Sequence, residues 1–163
     1  MRRQTLRSLV VWASLLVLAG CGFHLRGQSP LPFDSVHVDA ASGSALQPML
    51  TQSLRLNGKR ILPSPAGAQV VIRIDKETRS KEILSLSGGG KVREYRLGYR
   101  LLLSATDGAG RQILAPTELQ LTRDYSYDDA QALAKEGEEA QLMRDMEQEM
   151  LRQVVRRLAF AKP

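Results

Sequence analysis

Glu94-Tyr95-Arg96-Leu97-Gly98-Tyr99-Arg100-Leu101-Leu102-Leu103-Ser104 alternates along its length. Tyr95, Leu97, Tyr99, Leu101 and Leu103 fall on one side of a period of two, and Glu94, Arg96, Gly98, Arg100 and Ser104 on the other. Successive side chains of a strand point to opposite faces, so the pattern predicts a long strand with one face buried and the other in water. Such a strand belongs near the centre of a sheet. Upstream, Gly88-Gly89-Gly90 breaks the chain, and before it Val70, Ile72 and Ile74 alternate with Val71, Arg73 and Asp75. That is a second strand, with room to run on through Ile83 and Leu86. Downstream, Asp107-Gly108-Ala109-Gly110 is a turn, Gln112 to Ala115 starts a return strand, and Leu119, Leu121, Tyr125 and Tyr127 supply another alternating strand.

Helical patterns flank these strands. Ser35-Val36-His37-Val38 reads as a short strand, after which Ser42-Gly43-Ser44 opens a helix striped by Leu46, Leu50, Ser53 and Leu54. Leu56-Asn57-Gly58 closes it with residues that favour a helix C-terminus. Pro63-Ser64-Pro65-Ala66-Gly67 is a loop. The last element is a long helix from about Ala130 to Leu158, with Asp128 as cap and Leu133, Met143, Met146, Met150, Val154 and Leu158 as its apolar stripe. Gly137 marks either a bend or a later start. Strand, helix, strands, helix predicts an α+β domain with two helices packed on one face of the sheet, which explains the alternation.

The N-terminus carries a different signal. Arg2, Arg3 and Arg7 precede an apolar run from Leu9 to Leu18, and Leu18-Ala19-Gly20-Cys21 follows. This is the layout of a secretory signal, too short to span a bilayer. The sole cysteine stands directly after the small pair, which makes the segment a bacterial lipobox. Residues 1–20 are expected to be cleaved, and Cys21 to carry S-diacylglycerol and an N-palmitoyl chain. Gly22 stands where an aspartate commonly signals inner-membrane retention, so the expected location is the outer membrane, lipid-anchored and facing the periplasm. Residues 21–34 are then a lipidated N-terminus and tether, and residues 35–163 a single domain. With one cysteine there is no intrachain disulfide, and stability must come from the core.

Composition narrows the chemistry. The formal charge is +6, but Arg2, Arg3 and Arg7 leave with the signal, so the mature chain is near +3. Charge of that size in an exported protein argues against nucleic acid as a partner. Neither His24 nor His37 has a companion at metal-ligand spacing, no serine sits in a Gly-x-Ser-x-Gly turn, and the glycine run lacks the lysine of a phosphate loop. No catalytic residue, metal or cofactor is expected. What rises above background is the density of cations around the glycine turn: Lys76, Arg79, Lys81, Lys91, Arg93, Arg96 and Arg100 against Glu77, Glu82 and Glu94. They suggest a basic tip for an anionic partner such as a phosphorylated lipid headgroup, with an ordinary solvated face as the plainer alternative.

Several segments resemble one family. Cys21-Gly22-Phe23-His24-Leu25-Arg26 is similar to the opening of the lipopolysaccharide-assembly lipoproteins (LptE), and Leu54-Arg55-Leu56-Asn57-Gly58 to the end of their first helix. Glu94-Tyr95-Arg96-Leu97 resembles the start of their central strand. Ala132-Leu133-Ala134-Lys135-Glu136 and Gln153-Val154-Val155-Arg156-Arg157-Leu158 resemble their last helix. The segments span nearly the whole mature chain, in order. The resemblance implies two helices on a roughly four-stranded sheet, no catalysis, and a plug in the lumen of the outer-membrane β-barrel LptD, as a one-to-one heterodimer. It also implies help in assembling that barrel and in inserting lipopolysaccharide into the outer leaflet, with lipopolysaccharide itself bound. In the family, basic residues near the turn and early in the last helix are candidates for the lipid A phosphates, which implies Lys135; Gly88 stands about where some members have arginine, leaving Lys91 or Arg93 to supply the charge, with Arg96 a further candidate for lipopolysaccharide. The chain stops at Pro163, so the long polar tail of some members is expected to be dispensable. The alternative is a freestanding carrier of an anionic glycolipid.

Overall fold

The computed structural model describes residues 31–161. The expected signal peptide, the expected lipidation of Cys21 and most of the expected tether therefore lie outside the described residues. Strand β1 (Ser35–Ala40) leads into helix α1 (Leu46–Leu56) and the two-residue strand β2 (Arg60–Ile61). Three long strands follow, β3 (Val70–Leu86), β4 (Val92–Asp107) and β5 (Gln112–Ser126), and a 3-10 turn at Asp129–Gln131 opens helix α2 (Ala132–Phe160). The sheet runs β2-β1-β3-β4-β5; β2, β1 and β3 are parallel, and β3, β4 and β5 form an antiparallel meander.

The fold is α+β with both helices on one face, as the pattern requires. Five strands replace the expected four because β2 pairs only Arg60 and Ile61 with Ser35 and Val36. Two residues are too few for a period to register. The segments 112–115 and 119–127 also join into one strand, β5, with register shifts opposite Leu103 to Thr106.

One face of the sheet carries the core. Leu97, Tyr99, Leu101, Leu103 and Ala105 of β4 are buried, with Val70, Ile72 and Ile74 of β3 and Leu119, Leu121 and Tyr125 of β5. Against them α1 sets Leu46, Leu50 and Leu54, and α2 sets Met146, Met150, Val154 and Leu158. Burying an aliphatic side chain of this size stabilises by about 1.5–3 kcal/mol each, so this layer is what the fold rests on.

Local chemistry fixes the ends. The Ser44 hydroxyl accepts from the Gln47 N–H at 3.1 Å, which satisfies one free amide of α1. At its other end Gly58 takes φ 74, letting the Lys59 N–H reach the Leu54 carbonyl at 3.0 Å and the Gly58 N–H the Arg55 carbonyl at 2.9 Å. That is the Schellman arrangement, which favours glycine at this position. Asp128 caps the 3-10 turn by accepting from the Ala130 N–H at 3.0 Å. The helix α2 begins before Gly137 and runs through it. Leu133 is a correction: it is 84% exposed. Met146 lies thirteen residues on, about 3.6 turns, which leaves Leu133 on the far side of the helix from the buried stripe.

Candidate functional site

The basic segment does not form one tip. Strand geometry sorts its cations onto two faces and one end. On the helix-covered face, Arg79 reaches Glu147 at 2.7 Å and Lys81 reaches Glu139 at 2.5 Å. Tyr125 donates its hydroxyl to the same Glu139 at 2.6 Å, and Lys81 Nζ stands 4.3 Å over the Tyr95 ring. Beside them Glu77 accepts from Tyr99 at 2.8 Å and from Ser44. These pairs tie β3 to α2 and serve the fold.

Electrostatics within this layer follow from burial and pairing. Burial opposes the Lys81 ammonium, but its hydrogen bonds to Glu139 and Tyr125 outweigh that and hold its pKa above the ordinary lysine value. Burial likewise opposes the Glu139 carboxylate, and the bonds from Lys81 and Tyr125 hold its pKa below the ordinary range. Tyr125 is pushed up to about 12, first by burial and then by its bond to Glu139. Burial, then Glu77, raises Tyr99.

The opposite face of the sheet is open and polar. Arg96 forms a fork with Asp124 at 2.7 and 2.8 Å, and Arg100 meets Glu118 at 3.2 Å, each across the β4–β5 pair. The hydrogen bond from Arg96 keeps the Asp124 carboxyl below its usual range. Arg73 pairs with Asp39, and Ser104 donates to Asp75. Gly98 leaves a depression of about 380 Å³ among Ser80, Arg96, Arg100, Gln120 and Thr122. A wider cleft of about 480 Å³ lies at the other end of the sheet, between Phe33, Gln69 and Asp107.

The hairpin end between β3 and β4 gathers three of the four candidate lipopolysaccharide contacts. Lys91 lies 3.5 Å from Asp129, with its side chain 77% exposed. Arg93 is exposed and forms no ion pair with any described residue, while its carbonyl accepts from the Tyr127 N–H at 2.8 Å. That bond brings the start of α2 beside the hairpin. Lys135 bonds Ser126 at 3.1 Å and Glu138 at 2.8 Å, and Ser126 pairs with Glu94 of β4. Arg96 stands apart, on the open face. The same end carries Ile83, Leu84 and Leu86, which are exposed at 57%, 40% and 55%. Their apolarity was visible in the sequence; their exposure was not.

Among the described residues no group of three His, Cys, Asp or Glu is placed to hold a metal, and no helix is long and apolar enough to cross a membrane. His37 donates from Nδ1 to the Leu62 carbonyl at 2.9 Å and so ties β1 to the chain after β2.

This fold is shared with solved bacterial lipoproteins. The chain is similar to uncharacterized lipoprotein B from Nitrosomonas europaea, at TM-score 0.72 and 35% identity over 83% of this chain and 88% of that one. It shares its fold with rare lipoprotein B from Shewanella oneidensis, at TM-score 0.67 and 24% identity over 77% and 94%. The lipopolysaccharide-assembly family LptE matches residues 33–158, and the chain belongs to that family. Among its relatives are the LPS-assembly lipoproteins LptE of Photorhabdus laumondii, 27% identical, and Pectobacterium atrosepticum, 26% identical; each match covers 96% of this chain and 86% of the relative.

Proposed function

We propose that this protein is an outer-membrane lipoprotein that plugs the lumen of the LptD β-barrel, one copy to one barrel, and takes part in lipopolysaccharide insertion by binding lipopolysaccharide at its β3–β4 hairpin end. Family membership supports the assembly role. The observation that carries the lipid reading is the composition of the hairpin end: Lys91, Arg93 and Lys135 beside exposed Ile83, Leu84 and Leu86. Cations for phosphates next to apolar side chains for acyl chains match the two halves of a phosphorylated glycolipid. For the plug, the support is the open sheet face. Its arginines are neutralised by Asp39, Glu118 and Asp124 on the same face, giving a polar surface of little net charge suited to a polar barrel lumen.

A photo-crosslinking residue at Thr122, on the open face, tests the plug. It is expected to yield one adduct of the size of the lipoprotein plus a large barrel. Adducts only with lipid or with many proteins would contradict it. A freestanding glycolipid carrier would keep the hairpin contacts but give no barrel adduct.

A further inference from the structure

Cations that lack a partner are concentrated at the end of the fold opposite the hairpin. The helix α1 runs back against β1, so its last turn, with Arg55, lies beside Arg60 of β2, which pairs with Ser35 at the start of β1. The helix α2 descends from the hairpin end, with Glu139 bonded to Tyr125 and Glu147 to Arg79 farther down, and finishes with Arg152, Arg156 and Arg157. All five arginines are exposed, and none forms an ion pair with any described residue. By contrast, the arginines and lysines of the open face and the sheet–helix layer are paired, apart from isolated Lys76, and elsewhere among the described residues only Arg93 at the hairpin and Arg144, which bonds Gln141, lack an ion pair. The helix dipole favours Arg55 and Arg157 in last turns, but Arg152 lies farther in and Arg60 is on a strand. Leu56 and Phe160, 75% and 85% exposed, finish the two helices at this same end.

The chain that leads to Cys21 leaves from here. Leu31 and Phe33 are buried, and Lys59 donates to the Leu31 carbonyl at 3.1 Å, so the exit point is fixed in the fold. Residues 22–30 separate Leu31 from Cys21, a reach of at most about 35 Å when fully extended. At this end the described carboxylates Asp34 and Asp107 are engaged by Lys59 and Arg111.

We propose that this end is a membrane-apposed face, in which Arg55, Arg60, Arg152, Arg156 and Arg157 bind anionic phospholipid headgroups of the leaflet that holds the Cys21 anchor, with Leu56 and Phe160 at the interface. The inference rests on reading Cys21 as the anchor. Its physical basis is that acyl chains are strengthened by a polybasic patch beside them, each cation adding attraction within a Debye length of the surface. Headgroup binding at this end also sets the domain's orientation, with the hairpin directed away from the leaflet. The strand β3 is 17 residues long, which puts the hairpin about 55 Å from the exit point.

Vesicle flotation of the mature chain carrying Cys21→Ser tests it without any contribution from acyl chains. Binding to phosphatidylethanolamine vesicles containing phosphatidylglycerol is expected, with none to phosphatidylcholine vesicles, and it is expected to weaken with salt. Combined Arg152→Gln, Arg156→Gln and Arg157→Gln is expected to lower that binding roughly tenfold or more. Arg55→Gln with Arg60→Gln, on separate elements, is expected to lower it independently, while Arg144→Gln, an exposed cation nearer the middle of α2 that bonds Gln141, leaves it unchanged. No preference for phosphatidylglycerol, or binding unaffected by both arginine sets, would overturn the proposal. Mass analysis of the N-terminal peptide of the wild-type protein reads the anchor separately: an unacylated Cys21 would remove the anchor on which the proposal rests, whereas an acylated Cys21 without phosphatidylglycerol preference would remove the headgroup face alone.

Discussion

Lys81 of β3 and Glu139 of α2 meet at 2.5 Å across the sheet–helix layer, although 58 residues separate them. Tyr125 shares the same carboxylate, and the Tyr95 ring lies under the ammonium. This contact takes a cation out of the surface that a charge count along the chain would assign to a ligand. It also makes the hairpin's position depend on the helix.

The pair makes a pH prediction. The Glu139 carboxyl is held below its ordinary value of 4.5, so the folded state binds its proton less tightly than the unfolded state. Its contribution is present above that value and is lost as pH falls through the lower folded pKa. Asp124, held down by Arg96, acts in the same direction. Lys81 is raised, so its contribution is complete below 10.5 and is lost only as pH rises through the folded value. Thermal melts are expected to be level through neutral pH and to fall below about pH 4.5. Glu139→Gln should cost about 1–2 kcal/mol at pH 7 and flatten that acid slope. An acid slope unchanged in the variant would remove Glu139 from the account.

Core packing gives a second expectation. Met150 is fully buried between α2 and the sheet. Truncation to alanine leaves a cavity, and Met150→Ala is expected to lower stability by about 2–5 kcal/mol in urea unfolding. Leu133→Ala, at an exposed position on the same helix, should change it by less than about 0.5 kcal/mol.

Two glycines distinguish backbone from side-chain crowding. A Cβ at Gly108 would stand 2.7 Å from the Ala68 carbonyl oxygen, whereas at Gly98 it would meet only the Ser80 hydroxyl. The hydroxyl can rotate away and the backbone cannot. Gly108→Ala should therefore cost about 1–3 kcal/mol, and Gly98→Ala less than about 1 kcal/mol. Equal costs in denaturant titrations would refute the distinction.

At the hairpin, combined Lys91→Gln, Arg93→Gln and Lys135→Gln is expected to weaken lipopolysaccharide binding by the isolated domain and to reduce its salt dependence. Arg96→Gln, on the open face and forked to Asp124, is expected to leave binding unchanged. Unchanged affinity in the triple variant would remove the hairpin site.

The fold was legible because β4 repeats with period two over nearly its whole length, and its apolar side is the buried one. Helix α1 was legible from Leu46, Leu50 and Leu54 and from Gly58. The site was less so. A register shift between Ile74 and Lys76 changes the parity of β3, so the buried positions before it do not predict that Glu77, Arg79 and Lys81 turn to the helix. Their partners, Glu139 and Glu147, read along the sequence as a solvated helical face. The free arginines at the tether end come from α1, β2 and α2, and only the folded arrangement puts them together.

Gentle-detergent purification of the lipidated protein, with mass spectrometry of what accompanies it, tests the central claim most directly. A single large outer-membrane barrel in equal amount is the result predicted. Recovery of the lipoprotein alone, or with lipid and no barrel, would contradict the plug.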